Sequence, residues 1–244
     1  MYPLIALGAA IAIWAIVAAA IGVDLIVPSV GATMRALGKL LAQGSFYAAV
    51  GGTILRSAAA YAICFVAAIC TAAAAARCKP IARLLAPIVA ISRVVPTMSI
   101  ILLAVLWFAP QVAPIPVACV VIYPMLHTSL HAAIVGVDPQ LCEMARAYRV
   151  PMRTQIRRLY LPEMLPSVWT AVRSTLGLTL KLIIAAEVLA QTRAGMGLHM
   201  QLSKVYLDTA QLFAWTLVAV ALGAALEGIA ALCLRATQRR RYAD

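Results

Sequence analysis

Six stretches of the chain are apolar and almost free of charge, and polar connections separate them. They cover residues 4–23, 46–76, 84–108, a fourth run ending at 137, then 167–190 and 211–234. A membrane-crossing helix needs about 20 apolar residues, so each run is a candidate span. The first begins without the basic residues that open a cleavable leader, which predicts a retained helix, with residues 18–20 as a weaker cleavage alternative. Between the first two runs, Pro28 and Ser29 can start a short amphipathic helix carrying Arg35 and Lys39. The third run contains Arg93 and Pro96, and an uncharged hairpin with Pro110, Pro114 and Pro116 leads to the fourth. The pattern predicts an all-α, polytopic fold with six transmembrane helices and a single domain over residues 1–244.

Composition agrees. The 244 residues are 64% hydrophobic and 11% charged, with a mean hydropathy of +0.97. Soluble domains carry roughly 25% charged residues, so an ordinary soluble enzyme and a disordered chain are excluded. The net charge of +12 has to be read by position. With an even number of spans, one side of the membrane carries twelve Lys and Arg, at 77, 79, 83, 146, 149, 153, 157, 158, 235 and 239–241. The other carries four: Arg35, Lys39, Arg193 and Lys204. The positive-inside rule puts both termini in the cytosol and makes lipid, not nucleic acid, the partner of this charge. The six cysteines form no CxxC pair and are expected as small buried hydrophobes. His127 and His131 stand at i and i+4 on one helix face but lack a third ligand, so no metal and no resident cofactor is expected.

The most polar segment, residues 138–166, connects the fourth and fifth runs and is long enough to have its own structure. Asp138 followed by Pro139 is a helix start, because Asp caps free amides and proline at the first position loses no hydrogen bond. That helix should run to about Arg149. Pro151 pushes Val150 out of the helical region, and a second helix over 152–161 should stop at Pro162. Such an Arg-rich pair of helices suits either anionic headgroups or a docking partner.

Charges inside the apolar runs cost roughly 2.5–3.5 kcal/mol each at bilayer depth and mark candidate function. Arg93, Pro96, Ser99 and Trp107 could line a path for an anionic or aromatic solute, because proline interrupts a span where a cavity adjoins it. The alternative for Arg93 is a side chain snorkelling to the interface. Lys181 and Glu187 are further path candidates; six residues apart, they do not face one another. Glu227 is expected to snorkel or to meet Arg235.

Several pieces in order resemble the permease subunits of bacterial ABC importers, and among them the nitrate/sulfonate/taurine-type branch. Glu143-Met144-Ala145, then Pro151 and Leu161-Pro162, resemble the EAA loop. Thr53-Ile54-Leu55-Arg56, Arg93-Val94-Val95-Pro96, Leu106-Trp107-Phe108, Tyr123-Pro124, Ala186-Glu187 and Gly195-Met196-Gly197-Leu198 follow the same pattern over about residues 46–236. The resemblance implies a multi-pass protein of the bacterial inner membrane, usually a homodimer, seated on two ATP-binding subunits and fed by an extracytoplasmic substrate-binding protein. ATP and magnesium would be held by those partners. No phosphate-binding loop occurs in this chain, since Gly38-Lys39-Leu40 lacks the hydroxyl residue that such a loop needs. The loop residues Asp138, Glu143, Ala145, Arg146, Arg149, Val150, Pro151, Arg153 and Arg157 would couple to the ATPase. Where the family has glycine, this chain has Arg149. Either Val150-Pro151 makes the turn instead, or Arg149 adopts an unusual backbone. The competing class is a secondary transporter or channel without an ATPase, which an inverted internal repeat would favour.

Overall fold

The computed structural model describes the backbone of residues 2–241 and the side chains of residues 5, 6 and 8–234. Its regular elements are helices: α1 (Tyr2–Ile21), α2 (Val30–Leu41), α3 (Gly44–Arg77), α4 (Lys79–Val94), α5 (Thr97–Trp107), α6 (Pro114–Val135), α7 (Pro139–Ala147), α8 (Met152–Gln155), a π turn (Ile156–Tyr160), α9 (Leu161–Ala190), α10 (Met196–Val205) and α11 (Thr209–Arg241). Among the described residues, three helices are long and apolar enough to cross a membrane, Gly44–Arg77, Pro114–Val135 and Thr209–Leu234, and the bent pair α4–α5 would add a fourth. The apolar part of α1, Gly8–Ile21, is shorter. α9 has the length but carries Glu163, Arg173, Lys181 and Glu187.

The centre of the bundle is α3 against α6 and α9. Ala60, Cys64, Ala68 and Ala72 make one small-residue ridge on α3, and Ile122, Leu126 and Leu130 of α6 with Ile183 of α9 close over it. Small side chains every fourth residue let helix backbones approach, so close packing and not apolar transfer holds the pair in a lipid setting. Ala60 and Ala72 belong to alanine runs at 58–60 and 72–76, and the ridge packs against α6 and α9. A second cluster joins α2, α3, α9, α10 and α11 through Leu40, Phe46, Leu180, Ile184, Met196 and Trp215. The helix starts at Ser29 and Asp138 are as expected. Ser29 Oγ accepts from Ala32 N at 3.2 Å, and Asp138 Oδ1 accepts from Gln140 N at 2.8 Å.

Three expectations need correction. The third apolar run is not one straight helix: α4 and α5 meet at 97°, broken at Val95 and Pro96. Proline removes the N–H that would continue the ladder and drives Val95 to an extended backbone, φ −62°, ψ 126°. The helix after Pro151 does not stop at Pro162. The π turn bonds Leu161 N to Ile156 O, and this widened turn carries the chain past Pro162 into α9. α9 therefore starts six residues before the predicted span at 167. Finally, α10 forms between the fifth and sixth runs, where the sequence pattern marked no element.

The end of α7 settles the alternative at Arg149. Arg149 has φ +50°, Val150 N bonds Ala145 O at 2.9 Å, and Arg149 N bonds Arg146 O at 2.9 Å. This bond pair is the Schellman ending, whose left-handed position favours glycine. Val150-Pro151 does not replace that conformation; Arg149 adopts it, against a penalty of roughly 1–2 kcal/mol for a side chain with a Cβ. Arg149→Gly should therefore steady the turn, and Arg149→Ala should not. Chymotryptic cleavage after the exposed Tyr148 measures this: the glycine variant is cut more slowly than the parent, the alanine variant at the parent's rate.

Candidate functional site

The loop after α6 presents a broad exposed face. Glu143, Met144, Arg146, Tyr148, Arg149, Pro151, Met152, Arg153, Ile156 and Arg157 are exposed, whereas Cys142 and Ala145 turn inward. Cys142 Sγ lies 3.5 Å from Tyr160 Oη, which ties α7 to the π turn. That contact and burial hold the Tyr160 hydroxyl above its ordinary pKa, so it stays neutral with Arg146 and Arg77 nearby. Gln155 Nε2 donates to Val150 O at 2.8 Å, and Thr154 and Gln155 amides bond Pro151 O, which fixes the corner between α7 and α8. Glu143 makes no ion pair with Arg146; among the described residues its carboxylate is unpaired. A face with free cations, one free carboxylate and exposed Met, Tyr and Ile side chains is suited to a partner surface.

At the far end of α9 the chemistry is inverted. The Glu187 carboxylate is fully buried, and Arg56 of α3 pairs with it, Nη2 to Oε1 at 2.6 Å and Nε to Oε1 at 2.8 Å. Thr53 Oγ1 lies 2.9 Å from Oε2 and 3.1 Å from Oε1, and accepts from Met196 N at 3.0 Å. Gly197 N donates to Oε2 at 3.1 Å, and Arg56 Nη2 also donates to the carbonyl of Ala194. One carboxylate thus holds α3, α9 and the start of α10 together, and the two charges cancel inside the protein. The chain approaches closely there. A Cβ on Gly195 would lie 2.5 Å from Thr192 Oγ1 and 2.7 Å from Glu187 Oε2, and one on Gly197 would lie 2.5 Å from Glu187 Cβ. Both positions exclude any larger residue unless the latch opens.

The coupling residues inferred from the sequence are therefore brought together in one exposed loop. The path candidates are dispersed. Arg93, Pro96 and Ser99 follow one another across the break between α4 and α5, and Trp107 ends α5, 69% exposed. Lys181 is on the exposed side of α9, and Glu187 is enclosed in the latch. Glu227 packs over Gly177 of α9; the side chain of Arg235, its other expected partner, lies outside the described residues. In the sequence Thr53, Arg56 and Gly195 to Gly197 belong to the matching pieces, and the pattern alone gives them no role. The available signal was depth: Arg56 and Glu187 are opposite charges set inside the second and fifth apolar runs, near ends that would emerge on the same side.

Removing one partner of a buried ion pair strands the other charge, at about 3–5 kcal/mol. Glu187→Gln and Arg56→Met should each lower the melting temperature of the purified chain in detergent, and the double variant should recover part of the loss. Single variants that melt like the parent would mean that the pair holds nothing.

Residues 65–243, most of the chain, match the family described as binding-protein-dependent transport system inner membrane component. The chain is 26% identical over 132 residues to the putative aliphatic sulfonates transport permease protein SsuC of Bacillus subtilis (strain 168), a match covering 54% of this chain and 48% of that protein. It thus spans about half the length of this curated relative. The fold resembles solved inward-facing conformations of the MetNI methionine ABC transporter: TM-score 0.66 at 19% identity over 77% of this chain and 94% of that chain in the native crystal form, and 0.67 at 17% identity over 79% and 96% in the SeMet soak form. With an all-helical fold built around apolar helices and a match across most of its length, the chain belongs to the family of binding-protein-dependent transport system inner membrane components.

Proposed function

We propose that this chain is the permease subunit of an ABC importer for a small organic or inorganic oxyanion, of which an aliphatic sulfonate is the leading class. The observation that carries the reading is the continuity of α9, which leaves the exposed Arg-rich loop and ends at the Glu187 latch. From Leu161 to Glu187 that helix is roughly 40 Å long at 1.5 Å per residue, long enough to join the two faces of a bilayer. An ATPase seated on the loop face would move one end of a rod whose other end holds α3 and α10. Nucleotide biases such a protein only through contacts that differ between its states, and the loop is where those contacts would be made.

In this reading six helical segments cross the membrane, α4 and α5 together forming one broken passage, with both termini and the loop in the cytosol. The twelve-to-four distribution of Lys and Arg supports that orientation. Exposed apolar faces on α4 and α5, among them Leu84, Ile91, Val94, Leu102 and Leu106, support lipid contact and pairing with a second copy. The relative carrying the sulfonate name supports the solute class, and an extracytoplasmic binding protein would deliver the solute.

Glu143 and Arg149 are assigned to the ATPase interface, the carboxylate meeting a cation there and the guanidinium an acidic patch. The test is reconstitution of the permease with its ATPase and binding protein in proteoliposomes. Solute uptake should require ATP, and Glu143→Lys should assemble in the membrane yet lose most uptake and most of the stimulated ATP hydrolysis. Uptake that runs on an ion gradient without ATP, or unchanged coupling in Glu143→Lys, would overturn the reading.

A further inference from the structure

The bundle contains a second arginine within an apolar run, and its surroundings differ from those of Arg56. Arg93, in the last turn of α4, reaches α6, where Nη2 donates to Thr128 Oγ1 at 2.5 Å; Thr128 in turn donates to Pro124 O at 2.8 Å. No carboxylate pairs with Arg93 among the described residues, and none lines the cavity into which it opens. That cavity holds about 290 Å³ between α3, α4 and α6, with Arg93, His127, Thr128 and His131 on its walls and small apolar residues such as Ala82, Ala86 and Ala90 opposite. It lies at the end of the bundle that carries the coupling loop.

The two imidazoles have separate tasks. Thr71 Oγ1 donates to Ala67 O at 2.8 Å and accepts from Tyr123 Oη at 3.2 Å, so its single proton is spent. His127 Nδ1, 2.9 Å away, is then the donor to Thr71, and its ring is fixed. His131 stacks on it at 6.1 Å with the rings 18° apart, and the ring nitrogens of His131 have no partner among the described residues. The cavity therefore offers a guanidinium with most of its N–H groups unused, an unpartnered imidazole, an apolar wall and no negative charge.

A guanidinium with unused N–H groups at the mouth of an apolar cavity is a donor set for an anion. We propose that the Arg93–His131 cavity is a binding site for a tetrahedral oxyanion bearing a short apolar group, a sulfonate or a phosphate ester. Arg93 binds two oxygens through its fork, His131 donates to the third, and the alanines of α4 cover the alkyl part. A solute in transit and the phosphate of a lipid headgroup share this chemistry. Assignment to a solute rests on the permease reading above; the binding chemistry does not.

The full-length permease in phosphatidylcholine nanodiscs, without ATPase, is dialysed to equilibrium against radiolabelled ethanesulfonate. Parent protein should bind it, and Arg93→Gln should weaken binding by about tenfold or more, the scale of a lost charge-assisted hydrogen-bond pair. Arg93→Lys, which keeps the charge and so preserves the fold if the glutamine variant does not, should retain part of the affinity, and His131→Phe should reduce it several-fold. In a second arm, native mass spectrometry follows phosphatidylglycerol retained from mixed-lipid nanodiscs. Retention by the parent and loss from Arg93→Gln, with competition against ethanesulfonate, identifies the headgroup as the oxyanion; binding in phosphatidylcholine alone identifies a free solute. If the parent and the Arg93 and His131 variants agree in both arms, the site does not exist, and because uptake is measured separately, that result leaves the importer reading standing.

Discussion

A carboxylate cannot stay charged inside this bundle without a counter-charge and donors, and Glu187 has both. Arg56 neutralises it, and Thr53 with the Gly197 amide satisfies the oxygens that Arg56 leaves. Much else in the fold follows from that requirement. α3 must cross α9 closely enough for Arg56 to reach, which the ridge of Ala60, Cys64, Ala68 and Ala72 permits through its packing with α6. The chain after α9 must turn back at once so that its amides face the carboxylate, and it does so through Gln191 at φ +51° and the glycines at 195 and 197. α10 then lies against Trp215 and fixes α11 to the same assembly.

The two ends of α9 are built for opposite purposes. At the latch, the Glu187 carboxylate is enclosed and paired with Arg56 and Thr53, and no room is left for a Cβ. At the loop, Glu143, Arg146, Arg149, Arg153 and Arg157 are exposed, and the turn carries a strained Arg149 where glycine would be comfortable. A rod anchored firmly at one end and presented to a partner at the other can carry displacement, and the π turn with Pro162 and Pro166 is the place along it where the ladder is least regular. The bent pair of α4 and α5 buries Ile101 and Ala104 in its α5 half, while α4 has no buried residue.

Most helices were legible in the sequence, α10 excepted, because they depend on local rules: apolar run length and the caps at Ser29 and Asp138. Proline was the least legible residue. The same residue type marks a 97° break at Pro96 and is absorbed within helices at Pro87, Pro124 and Pro162; the π turn that precedes Pro162 is invisible in composition. The latch was illegible for a different reason. Arg56 and Glu187 are 131 residues apart, and nothing in spacing pairs them. Their shared depth would have suggested the pair, whereas the Met196 and Gly197 amides that complete it leave no mark in a sequence. The cavity around Arg93 was half legible: the charge and Pro96 mark it, but the two histidines read in sequence only as a metal pair without a third ligand.

The claim on which this account rests is that Glu187 holds the start of α10 to α9 and α3. Amide hydrogen exchange of the purified permease in nanodiscs, followed across residues 192–198 in the parent and in Glu187→Gln, tests it without reference to transport. The account predicts slow exchange at Met196 and Gly197 in the parent and a marked loss of protection at both in the variant, with the amides in the middle of α9 unchanged. Equal protection in the two proteins would contradict it.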